Sequence, residues 1–178
     1  MIISDRQRDE NFQEYLRLKQ DPNYDSVTFD EQSGGVSALH INHKLDKQQG
    51  LYGAKRGTYE LKTIDTLRQN GHSIIMLNES TEVGIKQYDG LLDGIPCEVK
   101  AIEMMGRWTI RTKLANAIKQ GASIIVLYFP NTSIFSKQRI QDGWKDYLSY
   151  SNPADSIPDI KLLCMSDGII HSIEKPSW

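Results

Sequence analysis

The sequence predicts an α/β fold with a mixed central β-sheet flanked by helices. Apolar residues recur at helical spacing over 58–69 and again over 108–120. Short apolar and β-branched runs lie between and after these segments, and the run at 123–129 is typical of a strand buried on both faces. An Asp93-Gly94 pair between two apolar runs predicts a β-hairpin. The order helix, strand, strand, strand, helix, strand follows, with further elements after it.

The first 56 residues are polar and lack a strong period. They predict one helix over 10–20, which ends before Pro22 because proline disfavours helical geometry in the preceding residue. We therefore divide the chain into an N-terminal extension, 1–56, and a core domain, 57–178. His40 and His43 lie three residues apart without an evident third metal ligand, so metal binding, acid catalysis, phosphate binding and a purely structural role all stay open.

Residues typical of turns separate the predicted elements of the core domain. Asn70-Gly71 predicts the end of the first helix, and the run SIIML at 73–77 predicts a strand. Strands are predicted over 84–92 and 95–102, on either side of Asp93-Gly94, and Gly121 closes the second helix. After the buried strand, the remaining elements are an amphipathic helix over 136–150 and a final hairpin whose two strands cover 159–165 and 169–173.

The predicted hairpin places two acids and a lysine together. If Asp93-Gly94 is a two-residue turn, the register sets Asp89 opposite Glu98. Side chains alternate along a strand, so Lys100 lies on the same face as Glu98. The three charged groups are therefore expected within contact distance of each other.

Two opposed carboxylates repel unless a cation lies between them. Lys100 is one candidate, and a divalent metal ion held by Asp89 and Glu98 is the other. Mg²⁺ or Mn²⁺ takes oxygen ligands, keeps several waters and binds phosphate oxygens. The expected chemistry is attack of a metal-activated water on phosphorus, with Lys100 orienting that water or neutralising charge. The alternative is a solvated hairpin with ordinary surface charges.

Composition limits the functional classes. The net charge of −2 argues against a general nucleic-acid coating protein, although residues 107–119 carry four positive charges and no acid. The spacing of Cys97 and Cys164 supports neither a zinc site nor a disulfide framework. The chain has no apolar run long enough to span a bilayer, and its start does not resemble a secretory signal. A protein that acts in the cytoplasm is expected, either by itself or as a domain of a longer secreted polypeptide.

Three consecutive blocks resemble a known family. The segments DGLLDGIPCEVK, TIRTKLANAIKQ and ASIIVLYF are similar, in order and spacing, to the PD-(D/E)xK nuclease superfamily. The nearest resemblance is to the C-terminal tRNase toxin domains of contact-dependent growth inhibition proteins, over residues 59–129. Tyr88 stands where the superfamily name has proline. The resemblance implies a restriction-endonuclease-like αβββαβ core, cleavage of tRNA or other RNA, delivery by a secreted parent protein and a cognate immunity protein.

The same resemblance implies further site residues. Glu60 on the first helix is expected as an additional metal or water contact, and Lys113 as a contact to phosphate or to the catalytic water. The expected nucleic-acid-binding residues lie on or beside the second helix: Arg107, Thr109, Arg111 and Gln120. Trp108 and Tyr88 are candidates for base stacking, with packing as the alternative. Two other functions stay open, a DNA endonuclease of a mobile element or restriction system and a non-catalytic nucleic-acid-binding module of the same fold.

Overall fold

The computed structural model describes residues 2–79, 87–150 and 159–177. Its helices are α1 (Asp5–Gln20), α2 (Gly57–Gln69), α3 (Thr109–Lys119) and α4 (Lys137–Tyr150), with a short 3₁₀ turn at Thr132–Ile134. Its strands are β1 (Tyr24–Phe29), β2 (Val36–His40), β3 (Ser73–Met76), β4 (Gly90–Leu92), β5 (Ile95–Ala101), β6 (Ile124–Phe129), β7 (Lys161–Ser166) and β8 (Ile169–Ile173).

The eight strands form one mixed sheet in which the spatial order follows the chain from β1 to β8. Strand β2 is parallel to β3, and β6 is parallel to both β5 and β7. The remaining neighbours are antiparallel. The predicted class, an α/β fold with a mixed sheet flanked by helices, is confirmed. Strands β1 and β2 come from the first 56 residues and occupy one edge of this sheet.

Helices cover both faces of the sheet. Helix α2 buries Ile64 and Leu67 in a cluster that contains Val126 of β6. On the opposite face, α3 and α4 bury Leu114 and Trp144 in a cluster that contains Leu127 of the same strand. Strand β6 is therefore buried on both faces, as its uninterrupted apolar sequence predicts. The connection from β5 to β6 contains α3 and the connection from β6 to β7 contains α4, so both lie on the same face of the sheet.

Most predicted elements are confirmed to within one or two residues, but three regions differ. Helix α1 begins at Asp5 rather than residue 10 because the Ser4 hydroxyl accepts a hydrogen bond from the Gln7 amide and caps it. Strands β1 and β2 lie in a segment for which the sequence predicted no strand. The strand predicted over 84–92 covers only Gly90–Leu92, and residues 84–86 lie outside the described residues.

The hairpin between β4 and β5 has the predicted two-residue turn. Asp93 and Gly94 both have positive φ, 51° and 80°, as a type I′ turn requires. The Asp93 carboxylate accepts a hydrogen bond from the Ser73 amide and lies 2.7 Å from Nδ1 of His72. These contacts fasten the turn to the start of β3, so the register of the hairpin is fixed at its closed end.

Among the described residues, α1 to α4 include no helix with the length and apolarity that a bilayer span requires.

Candidate active site

The hairpin brings the predicted acids together. Leu92 pairs with Ile95 and Gly90 with Cys97, which is the register expected from the turn. One position further along, Asp89 lies outside the strand, and its Oδ2 accepts a hydrogen bond from the Val99 amide at 2.8 Å. This bond holds the Asp89 carboxylate beside the β5 residues that carry the other two charges.

Glu98 is the least solvated acid of this group. Its side chain is 0% exposed, and Nζ of Lys100 lies 2.5 Å from its Oε2. This contact is an ion pair, and beyond it neither Glu98 carboxylate oxygen accepts a well-aligned hydrogen bond from the residues that the structure describes. Burial and the adjacent Asp89 carboxylate raise the pKa of Glu98, and they outweigh the opposing charge of Lys100.

These features suit a divalent cation. Burying a carboxylate is costly and two adjacent carboxylates repel each other, and the pKa of Glu98 stays raised despite the ion pair with Lys100, so a divalent cation bound between the two carboxylates would relieve both effects. Asp89 and Glu98 are hard oxygen donors of the kind that Mg²⁺ and Mn²⁺ prefer. Two protein carboxylates leave positions for water and for phosphate oxygens.

The structure does not add Glu60 to this pair. Within residues 2–79, 87–150 and 159–177, no three His, Cys, Asp or Glu side chains are grouped as metal ligands. Glu60 instead lies in the first turn of α2, where its Oε1 is 2.5 Å from Nε2 of His43. Nδ1 of His43 lies 3.1 Å from the carbonyl oxygen of Leu77. Both partners are acceptors, so the ring must carry two protons to satisfy both contacts.

His43 is therefore a buried imidazolium. Burial opposes its protonation, but the hydrogen bond and charge of Glu60 outweigh burial, together with the Leu77 carbonyl, and raise the pKa of His43 to about 9. The His43 side chain is 1% exposed, so it contacts Glu60 from the protein interior and does not itself contact a ligand in the cleft. His40 has a different position, in which its Nδ1 accepts a hydrogen bond from the Asn42 amide and its ring packs edge-on against Tyr24.

A cleft of about 530 Å³ opens at the carboxyl end of β5. Its lining residues come from the first turn of α2, from β5, from the start of α3 and from the segment before α2. Four of the predicted residues line it: Glu60, Lys100, Thr109 and Lys113. Asp89 and Glu98 do not line it. Lys100 therefore joins the carboxylate pair on β5 to the open space of the cleft.

A polar stripe of α3, which contains Thr109 and Lys113 and continues to Gln120 just after the helix, faces this site. The Thr109 hydroxyl accepts a hydrogen bond from the Gly106 amide at the start of the helix. Burial and the nearby cation of Lys100 lower the pKa of Lys113, and no carboxylate of the described residues lies within salt-bridge distance of its ammonium group. At the far end of the stripe, Gln120 accepts a hydrogen bond from Lys100 Nζ through its Oε1 at 3.2 Å. Helix α3 thus positions Lys100 from one side.

Arg107 and Arg111 lie outside the cleft lining. Their guanidinium carbons lie 4.3 and 4.1 Å from the ring centroid of Trp108. Trp108 is 37% exposed, whereas Tyr88, the other aromatic candidate, packs against the core cluster beneath α3.

Sequence reasoning missed Glu103, which fastens one wall of the cleft. Its carboxylate accepts hydrogen bonds from the Leu51 amide at 2.5 Å and from Nε of Arg56 at 2.7 Å. Its backbone carbonyl accepts a hydrogen bond from the Tyr52 hydroxyl at 2.8 Å. Partial burial opposes ionisation, but the Leu51 and Arg56 hydrogen bonds outweigh it and lower the pKa of Glu103. No local pattern marks this residue because its partners lie about fifty positions away in the chain.

Comparisons with protein-family models, with curated proteins and with solved structures found no significant match to this chain.

Proposed function

We propose that this chain is a metal-dependent nuclease that cleaves phosphodiester bonds, with tRNA or other RNA as the favoured substrate. The observation that carries the proposal is the environment of Glu98, which is buried beside Asp89 with Lys100 Nζ at 2.5 Å and with neither oxygen accepting a well-aligned hydrogen bond from the described residues. Such an arrangement destabilises the fold in the absence of a ligand. Costly charge arrangements of this kind are concentrated at functional sites.

Asp89 and Glu98 would hold Mg²⁺ or Mn²⁺ in this proposal. The bound ion would supply charge neutralisation at the phosphoryl group and activate water near neutral pH. Lys100 reaches from the carboxylate pair to the cleft, so its ammonium group can orient a water molecule or neutralise developing charge on a phosphoryl oxygen. Gln120 holds the same ammonium group by its side-chain oxygen and restricts its position.

The cleft supplies substrate contacts. Lys113 has no carboxylate partner among the described residues and faces open space, which suits it to bind a phosphate oxygen. The Thr109 hydroxyl oxygen accepts a hydrogen bond from the Gly106 amide, so its own proton can be donated to a second phosphate oxygen. Glu60, held by the His43 ring, lies in the cleft lining and can contact water. Together these groups would position a phosphodiester without reading its sequence.

Element order supports a restriction-endonuclease-like core. The succession α2, β3, β4, β5, α3, β6 has the αβββαβ order that the resemblance implies, with the hairpin and the polar stripe of α3 in the corresponding places. On this basis we propose a bacterial toxin domain of the contact-dependent growth inhibition type. It would be delivered by a secreted parent, act in the cytoplasm and be blocked by an immunity protein that covers the cleft.

A non-catalytic nucleic-acid-binding module is the second candidate. The observation that favours it is the Lys100–Glu98 ion pair, which already supplies a cation to the buried carboxylate. In that case Lys100 would be structural, and the cleft would bind nucleic acid without cutting it.

Cleavage assays separate these functions. Purified protein is incubated with end-labelled tRNA and, in parallel, with duplex DNA, in Mg²⁺, in Mn²⁺ and in EDTA. The proposal expects metal-dependent cleavage of tRNA that is lost in Glu98→Gln and Lys100→Ala, and retained in Glu31→Gln and Lys119→Ala. The last two are exposed control positions. Cleavage of DNA alone would select the DNA endonuclease. Binding without cleavage in any metal would select the non-catalytic module.

Calorimetric titration of Mn²⁺ into the protein provides a readout independent of activity. Wild type should bind the ion, and Asp89→Asn and Glu98→Gln should each weaken binding at least tenfold. Equal binding by all three proteins would remove the assigned metal site.

A further inference from the structure

An alternating ladder of cations and aromatic rings lies beside the start of α3, away from the cleft. Its members, in order, are Arg107, Trp108, Arg111 and Tyr150. The guanidinium carbon of Arg111 lies 4.1 Å from the Trp108 ring centroid and 4.5 Å from that of Tyr150. The two rings meet edge-on with centroids 6.3 Å apart. We call these four residues the Arg–aromatic ladder.

The ladder is open to solvent at its ends. Trp108 is 37% exposed and Tyr150, the last residue of α4, is 70% exposed. Exposed aromatic rings that alternate with guanidinium groups present flat faces on which a planar ligand can stack. The four side chains come from the segment just before α3, from α3 and from the end of α4, and none of them belongs to the core clusters on the two faces of the sheet.

The charges of the ladder are not neutralised. Among the described residues, no carboxylate lies within salt-bridge distance of the guanidinium groups of Arg107 or Arg111. Other arginines of the chain, such as Arg17 and Arg56, do have carboxylate partners. Two unneutralised guanidinium groups held against the same ring repel each other, and an anionic ligand would reduce that repulsion.

Helix geometry places the ladder on a different side of α3 from the cleft. Successive residues advance by about 100° around a helix, so Arg111 is displaced by about 200° from Thr109 and from Lys113. Thr109 and Lys113 line the cleft, whereas Arg111 faces α4 at the other edge of the buried surface. A nucleic-acid strand that crosses the first turn of α3 would reach both sites.

We propose that the Arg–aromatic ladder binds unpaired nucleotides of the substrate, with bases stacked on its exposed rings and guanidinium planes and phosphates paired with its arginines. This inference rests on the proposed function for its choice of nucleic acid as the partner. Bases within a duplex are already stacked, whereas unpaired bases can stack on aromatic and arginine side chains. The ladder therefore selects a single-stranded segment, such as an RNA loop, beside the bond that enters the cleft.

Binding is measured by fluorescence anisotropy in EDTA, so that cleavage does not interfere. The probes are a fluorescein-labelled single-stranded RNA of mixed sequence, the same RNA annealed to its complement, and labelled polyglutamate. Wild type should bind the single strand more tightly than the duplex. Tyr150→Ala and Trp108→Ala should each weaken single-strand binding about tenfold, the effect of losing one stacked base, and change duplex binding less than twofold. Tyr150→Phe should restore single-strand binding.

Arginine variants test the charge component. Arg111→Gln should weaken binding to both RNA forms and reduce the slope of log affinity against log salt by about one. Phe12→Ala, an exposed aromatic residue of α1, and Arg6→Gln, an exposed arginine of α1, are matched controls that should bind both forms as wild type does.

Two results would overturn the inference. One is single-strand binding by Tyr150→Ala and Trp108→Ala that equals wild type in proteins shown to be folded by circular dichroism. The other is polyglutamate binding as tight as RNA binding, which would assign the ladder to an acidic protein surface. Because binding is measured without metal, a protein that binds single strands through the ladder yet cuts nothing would refute the proposed nuclease and keep this inference. Conversely, a protein that cuts RNA, and whose ladder variants bind single strands as the wild type does, would keep the proposed nuclease and refute this inference.

Discussion

The carboxylate of Glu60 lies 2.5 Å from Nε2 of His43, and the other ring nitrogen of His43 faces the carbonyl of Leu77. A buried imidazolium thus connects α2 to the segment that follows β2 and to the end of β3. His43 lies behind the cleft and holds the Glu60 side chain at the cleft wall. The contact links the electrostatics of the cleft to the stability of the fold.

The His43–Glu60 pair should make stability depend on alkaline pH. The folded-state pKa of His43 is raised to about 9 from its ordinary value of 6.5, so the stabilisation is complete below pH 6.5 and is lost as pH rises through about 9. The free energy of unfolding of wild type should therefore fall by roughly 1–3 kcal/mol across this window. Urea unfolding at intervals from pH 6 to pH 10 measures it.

His43→Gln should remove this pH dependence because Gln does not titrate. His171→Gln is the control, since its ring stacks on Phe135 and has no carboxylate partner in the described part of the chain. If wild type and His43→Gln show parallel profiles, the imidazolium assignment fails.

Glu98→Gln should increase stability and abolish cleavage in the same protein. The pKa of Glu98 is raised, so ionised Glu98 destabilises the fold progressively as pH rises above the ordinary range of a glutamate carboxyl. Gln has the same shape without the charge, and in EDTA at pH 8 the variant should gain roughly 1–3 kcal/mol. Thermal unfolding in EDTA at pH 5 and pH 8 should show a larger gain at the higher pH.

Mg²⁺ offers an internal check on the Glu98 substitution. The ion should raise the melting temperature of wild type, because a ligand that binds only the folded state stabilises it, and should have little effect on Glu98→Gln. A variant less stable than wild type at pH 8 in EDTA would contradict the proposed electrostatic strain.

Glu103→Gln should loosen the segment that forms one wall of the cleft. The substitution weakens the hydrogen bonds from the Leu51 amide and the Arg56 guanidinium, which the charged form of Glu103 strengthens. We expect a stability loss of about 1–3 kcal/mol, faster amide hydrogen exchange over 48–56 and a raised KM in the cleavage assay. Exchange measured by mass spectrometry on Glu31→Gln provides the control. Exchange that is unchanged over 48–56 would show that the segment is held by other contacts.

Gly143→Ala should push α3 away from α4. A Cβ atom at Gly143 would lie 2.4 Å from Cβ of Ile110, so the two helices cannot keep their present spacing. The cost of overpacking, about 1–3 kcal/mol, should exceed the gain in helix propensity. Chemical denaturation of Gly143→Ala, Ile110→Ala and the double variant forms a cycle in which the double variant recovers part of the loss. Strict additivity would refute direct contact as the cause.

The hairpin of the candidate site could be predicted because its geometry is local. A two-residue turn and the alternation of side chains suffice to place Asp89 beside Glu98 and Lys100. The stripe of α3 follows from helical periodicity in the same way. The deep burial of Glu98 could not be predicted, because it depends on how the sheet packs against α3.

Long-range contacts account for what the sequence did not reveal. Glu60 and His43 meet only because α2 passes beside the end of β2, and Glu103 meets Leu51 across a separation of 52 positions. The sequence also did not predict strand β1. A bulge between Asp25 and Thr28, with Ser26 at a φ of 52°, breaks the alternation of buried and exposed side chains that identifies strands.

The order of the sheet has a consequence for how the chain folds. Each strand pairs only with the strands before and after it in the sequence, so no strand has to insert between two that are already paired. The sheet can grow by adding one strand at a time as the polypeptide is synthesised. Loop closure then involves only neighbouring elements, which favours rapid folding for a sheet of this size.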